Sequence, residues 1–168
     1  MLSMLAKFLK LLNGDAAPGQ VAVGFAFALF WGLTPFFSLH NLIILLVVFI
    51  TRTNLSAFFL GSALWALIAF LVDPFAIDLG EWLLASPDLQ TTWTTMYQSD
   101  VWRAFKFNHT LLMGGFAISL VAFIPVYFLS FGLIKVYRHK VMAWFEKLKI
   151  TKILKASKFY RVYEKLEG

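Results

Sequence analysis

"GLTPFFSLHN", residues 32–41, interrupts one of the most apolar stretches of the chain, with "VAVGFAFALFW" before it and "LIILLVVFI" after it. A proline, a serine, a histidine and an asparagine crowd into its last seven residues. The residue before a proline is biased away from the helical region, so Thr34-Pro35 is a natural break. A helix from Ala17 to Thr34 would rise roughly 27 Å, whereas Leu39 to Ile50 would rise only about 18 Å, short of a ~30 Å hydrocarbon core. The spacing predicts a Pro-broken helical hairpin over 17–51 whose tip is "TPFFSLHN".

Composition says what surrounds that hairpin. Hydrophobic residues make up 60% of 168 positions and charged residues 14%, with a mean hydropathy of +0.76. Soluble domains sit nearer half apolar and a quarter charged, so the fold class expected is an all-α integral membrane protein of one compact domain. There is no cysteine, which excludes disulfides, thiol catalysis and thiolate metal sites.

Charge orients it. From Lys135 to the end, ten Lys/Arg stand against three glutamates; between Asp73 and Thr110, five acids stand against Arg103 and Lys106. Basic flanks stay cytoplasmic, so both termini are expected inside, with Lys7 and Lys10 at the first, and 73–110 outside. If Arg52 is also inside, the hairpin enters and returns on one side. It either turns within the membrane or just reaches the outer face, and the short second arm favours the re-entrant form.

Two spans are expected, 55–72 up to "DP" (Asp73-Pro74) and 111–134 up to Lys135, the second carrying Pro125. Together with the hairpin they give a membrane domain over 15–136. Residues 1–14, with Met1, Leu5, Phe8 and Leu12 opposite Ser3, Lys7 and Lys10, read as an interfacial helix rather than a signal peptide. Residues 137–168 read as a basic amphipathic cytoplasmic tail, on apolar positions such as Trp144, Phe145, Leu148, Phe159, Val162, Tyr163 and Leu166. Its expected partner is anionic lipid head groups rather than nucleic acid, with a cytoplasmic partner helix as the alternative.

A turn at membrane depth must be packed in protein or line a wet cavity. Gly24, Ala28 and Gly32 recur every fourth residue and form a small-residue packing strip on the first arm; Ala57 with Gly61, and Gly114, Gly115 and Ser119, offer similar surfaces on the spans. These should clasp the hairpin. Thr34, Pro35, Ser38, His40 and Asn41 form the candidate polar site at its tip. They either satisfy carbonyls freed by the break or line a polar path or head-group pocket. No second histidine or carboxylate lies at ligand spacing from His40, so no metal site is expected.

On the outer side, Trp82, Trp93, Tyr97 and Trp102 lie among polar residues, the pattern of short interfacial helices, with Asn108 and His109 as caps for the last span. These residues are the candidate surface for an outer partner. Phosphate loops, zinc-protease motifs and nucleophile elbows are absent from the sequence, so neither enzymatic activity nor a cofactor is expected.

The run "APGQVAVGFAFALFWGLTPFFSLHNLIILLVVFITRTNLSAFFLG" resembles bacterial membrane proteins grouped as domain of unknown function twenty sixty-two. The resemblance rests on Pro18, Ala22, Gly24, Phe25, Ala26, Phe30, Gly32, Pro35 and His40, with Asn54 and Gly61 after them. Ser38 stands where that family usually has glycine, and its later Asn-Pro is missing. "FNHTLLMGG" and the length resemble a narrower branch often encoded beside a large AsmA-like envelope protein. This implies a multi-pass protein of the bacterial inner membrane. It also implies a non-enzymatic subunit that anchors, or feeds phospholipid to, a periplasm-spanning lipid-transport partner. The alternative is a self-contained transporter, channel or scramblase, in which a homo-oligomer supplies the second copy of the broken helix that such proteins use.

Overall fold

The computed structural model describes residues 16–141. The expected N-terminal helix, and the tail from residue 142 on, lie outside the described residues. The elements are α1 (Pro18–Gly32), α2 (Leu39–Ile50), α3 (Leu55–Ala85), a short 3-10 turn (Pro87–Leu89), α4 (Gln90–Tyr97), α5 (Asp100–Ala104) and α6 (Thr110–Val136), the last running into a π turn at Tyr137–Val141. No strand occurs among the described residues. Two helices, α3 and the one from Thr110 to His139, are long and apolar enough to cross a membrane.

Proline 18 opens α1, where its missing N–H removes nothing the helix needs. The hairpin closes at its base, where Asn54 N–H donates to Gln20 O at 3.2 Å. Asn54 then starts α3 by accepting from Ala57 N–H on its side chain at 2.9 Å. So α1 and α3 begin level and run parallel. A Cβ added at Gly24 would lie 3.1 Å from that of Ala57, one at Gly61 would lie 2.8 Å from that of Ala28, and one at Gly32 would overlap Trp65. The strip Gly24, Ala28, Gly32 thus meets a second strip, Ala57, Gly61, Trp65, at the same spacing. Trp65 Nε1 fastens the seam by donating to Phe25 O at 3.2 Å.

The last helix, α6, runs antiparallel to both. Ile134 packs with Val21, Ala22 and Ala57 at the base, and Phe123 packs edge-on against Phe27 at 5.0 Å. Near its start, a Cβ at Gly114 would overlap the Ala76 carbonyl and one at Gly80 the Thr110 carbonyl, so α3 and α6 cross backbone to backbone.

Two expectations need correction. The span predicted over 55–72 does not stop at Asp73-Pro74: α3 continues through Pro74 to Ala85. The proline costs one hydrogen bond, and the crossing at Ala76 and Gly80 holds the second half of the helix regardless. The segment 73–110 therefore begins inside a long helix, and only 86–109 is built of short elements. Second, the two arms are held unequally. Helix α1 is enclosed by α3 and α6, whereas α2 packs Ile44, Leu45 and Val48 against α1 and α3, meets α6 through His40 and Phe116, and leaves Leu42, Leu46, Phe49 and Ile50 exposed.

Candidate functional site

The break at the hairpin tip gathers Thr34, His40 and Asn41, all buried, in a region with no charged side chain from Ala16 to Thr51. Exposed carbonyls at such a break would each cost roughly 1–3 kcal/mol if left unpaired away from water. The side chains remove most of that cost. Asn41 Nδ2 donates to Pro35 O at 3.2 Å and to Phe36 O at 3.3 Å, Ser38 Oγ donates to Pro35 O at 2.5 Å, and Thr34 Oγ1 donates to Phe30 O at 2.5 Å. Asn41 N–H starts α2 by donating to Ser38 O at 3.1 Å. The polar atoms face inward while Phe36 and Phe37, the latter 94% exposed, face outward.

His40 is different. Its Nε2 lies 2.9 Å from Thr34 Oγ1, and its ring meets Phe116 of α6 edge-on at 5.8 Å. Its Nδ1 is buried without a hydrogen-bond partner. The task of satisfying the break thus accounts for Thr34, Ser38 and Asn41 and leaves one ring nitrogen of His40 over. Helix α6 presses on the tip through Gly115, where a Cβ would overlap the Leu33 carbonyl and come within 3.3 Å of Thr34 Cγ2.

The aromatic residues from Trp82 to Trp102 do not form one surface. Trp82, Tyr97 and Trp102 are exposed. Trp93 turns inward: its Nε1 donates to Leu83 O at 3.0 Å and its ring lies 6.0 Å from buried Phe107. Asn108 and His109 are exposed at the start of α6, and neither side chain caps it; the His109 carbonyl accepts from Met113 N–H at 2.9 Å instead. Arg103 pairs with Asp100 one helical turn away. No group of three or more His, Cys, Asp or Glu able to hold a metal occurs among the described residues.

Sequence reasoning missed Gly80, Thr110 and Phe116. The first two are recognisable only once α3 is known to pass Pro74, and an aromatic in an apolar helix gives no sign that it faces a histidine.

A protein of Treponema pallidum (strain Nichols), named only as an uncharacterized protein, is 26% identical over 138 residues, 82% of this chain and 85% of that one. No solved structure matches. Residues 3–143 match the family described as "uncharacterized protein conserved in bacteria" (DUF2062), and the chain belongs to that family.

Proposed function

We propose that this chain is a non-enzymatic subunit of the bacterial inner membrane that anchors, or feeds phospholipid to, a large periplasm-spanning AsmA-like partner. The apolar exterior carries the reading. Only 22% and 11% of the most apolar windows of the two long helices are buried, whereas core helices of soluble proteins are mostly covered. Outward-facing Leu67, Phe70, Leu120, Val121, Phe128 and Leu129 need lipid around them. The partner itself is inferred from the resemblance of "FNHTLLMGG" and the chain length to the branch paired with AsmA-like proteins.

The distribution of charge along the bundle supports an orientation with both termini inside. Arg52, Lys135 and Arg138 gather at the end where α1 and α3 begin, and Asp78, Glu81, Asp88 and Asp100 lie toward the other. The hairpin then enters from the cytoplasm. The rise from Gln20 to Thr34 is roughly 21 Å, which leaves the tip inside a ~30 Å core and supports the re-entrant form. Trp82, Tyr97 and Trp102 offer the partner a periplasmic face.

The test is photo-crosslinking in cells from Trp82 and Trp102, followed by pull-down. Capture of a large envelope protein is expected. Crosslinks confined to lipid or to a second copy of this chain would refute the subunit reading in favour of a homo-oligomeric transporter, channel or scramblase. That second reading draws on the buried, unpartnered nitrogen of His40.

A further inference from the structure

The hydrogen atoms at the hairpin tip can be counted. Thr34 has a single hydroxyl proton, and Phe30 O, 2.5 Å away, takes it. With that proton donated to Phe30 O, the tautomer that completes the contact at 2.9 Å carries its proton on His40 Nε2 and donates to Thr34 Oγ1. In the neutral ring this leaves Nδ1 as a bare acceptor, and it has no partner. Asn41 is short as well. Its amide nitrogen is fixed on two carbonyls, so its Oδ1 faces Thr34 Oγ1 at 3.4 Å, and the only proton there is already committed. Among the described residues the tip is therefore short of donors: His40 Nδ1 has none, and Asn41 Oδ1 has only the long contact to Thr34.

The surroundings select the ligand. No Asp, Glu, Lys or Arg occurs in 16–51, 53–72 or 107–134, the stretches that enclose the tip. A cation brought here would lack a counter-charge and an anion would meet only acceptors, so a neutral O–H or N–H donor is what fits. Leu39, next to His40 along the chain, and Phe37, three residues before it, are exposed, so the tip adjoins open apolar surface.

We infer that the hairpin tip binds the terminal, neutral hydroxyl of a phospholipid head group, such as the glycerol of phosphatidylglycerol, with His40 Nδ1 as acceptor and the phosphate kept outside the cluster. This rests on the lipid-handling reading above and adds the contact that handles the head group. A hydroxyl held there would give a head group a polar foothold within the hydrocarbon layer.

The test uses the purified full chain and measures retained lipid by native mass spectrometry. Dioleoylphosphatidylglycerol is compared with dioleoylphosphatidylmethanol, which has the same charge and no head-group hydroxyl. A preference of about tenfold for the glycerol lipid is expected, the scale of one buried acceptor gaining its partner. His40→Asn sets an amide oxygen near the Nδ1 position and should keep the preference. His40→Gln sets its amide near the Nε2 position, preserves the Thr34 contact, and should erase it. Equal retention of the two lipids by the native chain would overturn the inference and leave a water on Nδ1. So would a preference that survives in His40→Gln, or free glycerol competing as well as the lipid does. If either variant fails to fold, the comparison of lipids on the native chain decides alone. The partner crosslink is read separately, so the inference and the subunit reading can fail independently.

Discussion

Moving one methyl group across the α1–α3 seam tests whether these helices are in register as described. An alanine Cβ at position 61 would sit 2.8 Å from that of Ala28, whereas carbon atoms rest at about 3.5–4.0 Å. Neither methyl can rotate away, because each is attached directly to a helix backbone. Gly61→Ala must therefore push the helices apart by about 0.7 Å or more, and overpacking of this kind costs up to about 3 kcal/mol. Helix propensity returns about 1 kcal/mol, leaving a net loss of about 2 kcal/mol. Ala28→Gly alone loses about 1 kcal/mol of propensity and about 0.8 kcal/mol for the buried methyl. Independent effects would sum to about 4 kcal/mol. In the double variant the methyl has only changed helices: the propensity terms cancel, and the next neighbour of the new Cβ, Phe25, is at an ordinary 3.5 Å. The double variant should thus lie within about 1 kcal/mol of the native chain, a coupling of about 3 kcal/mol. Reversible unfolding in mixed micelles, followed through the fluorescence of Trp65 and its neighbours, measures all four corners of the cycle. A double variant as unstable as the sum would refute the register.

Other positions give sharper contrasts than magnitudes. Gly115→Ala should lower the unfolding midpoint and Gly132→Ala should not, because the first Cβ overlaps the Leu33 carbonyl and the second meets nothing within 4 Å; equal effects in the same micelle assay would remove α6 from the tip. Asn41→Leu leaves Pro35 O with Ser38 Oγ alone and Phe36 O unpaired, at about 1–3 kcal/mol for the acceptor left without a partner. Its loss should show as faster hydrogen exchange at the start of α2, and unchanged exchange would mean that the break holds itself. Pro74→Ala restores an N–H to a helix that already runs through the site, so it should raise the unfolding midpoint; a fall would mean that the proline shapes α3 rather than being tolerated by it.

The hairpin was legible because its signals are local. Pro35 breaks the helix, Gly24, Ala28 and Gly32 repeat every fourth residue, and the short second arm can be counted from Leu39 to Ile50. The end of α3 was not. "DP" is a strong local stop signal, and what overrides it is a contact between Ala76, Gly80 and Gly114, residues far apart in sequence. Trp93 illustrates the same limit. Its neighbours are polar, which suggests an exposed ring, yet Leu83 O and Phe107 turn it inward. At the tip, the residue types were readable but their roles were not, because the division among Thr34, His40 and Asn41 depends on where each proton goes.

That division bears on why the hairpin has unequal arms. Helix α1 contributes small residues on two sides, to α3 through Gly24, Ala28 and Gly32 and to α6 through Ala22 and Val21, so it can be enclosed and held rigid. Helix α2 has no small residues: Leu42, Ile43, Leu46, Phe49 and Ile50 face outward, while Ile44, Leu45 and the fully buried Val48 pack on Ala28 and Phe58. The arm is held along that inner face and also at its two ends, by Asn41 at the tip and by the Thr51–Asn54 turn at the base. Thr51 Oγ1 donates to Val47 O at 2.8 Å, and Asn54 N–H reaches across to Gln20. His40 sits at the tip end of the arm. A head group taking the Nδ1 lone pair would therefore meet the end of the arm that keeps one face on the bundle and the other exposed.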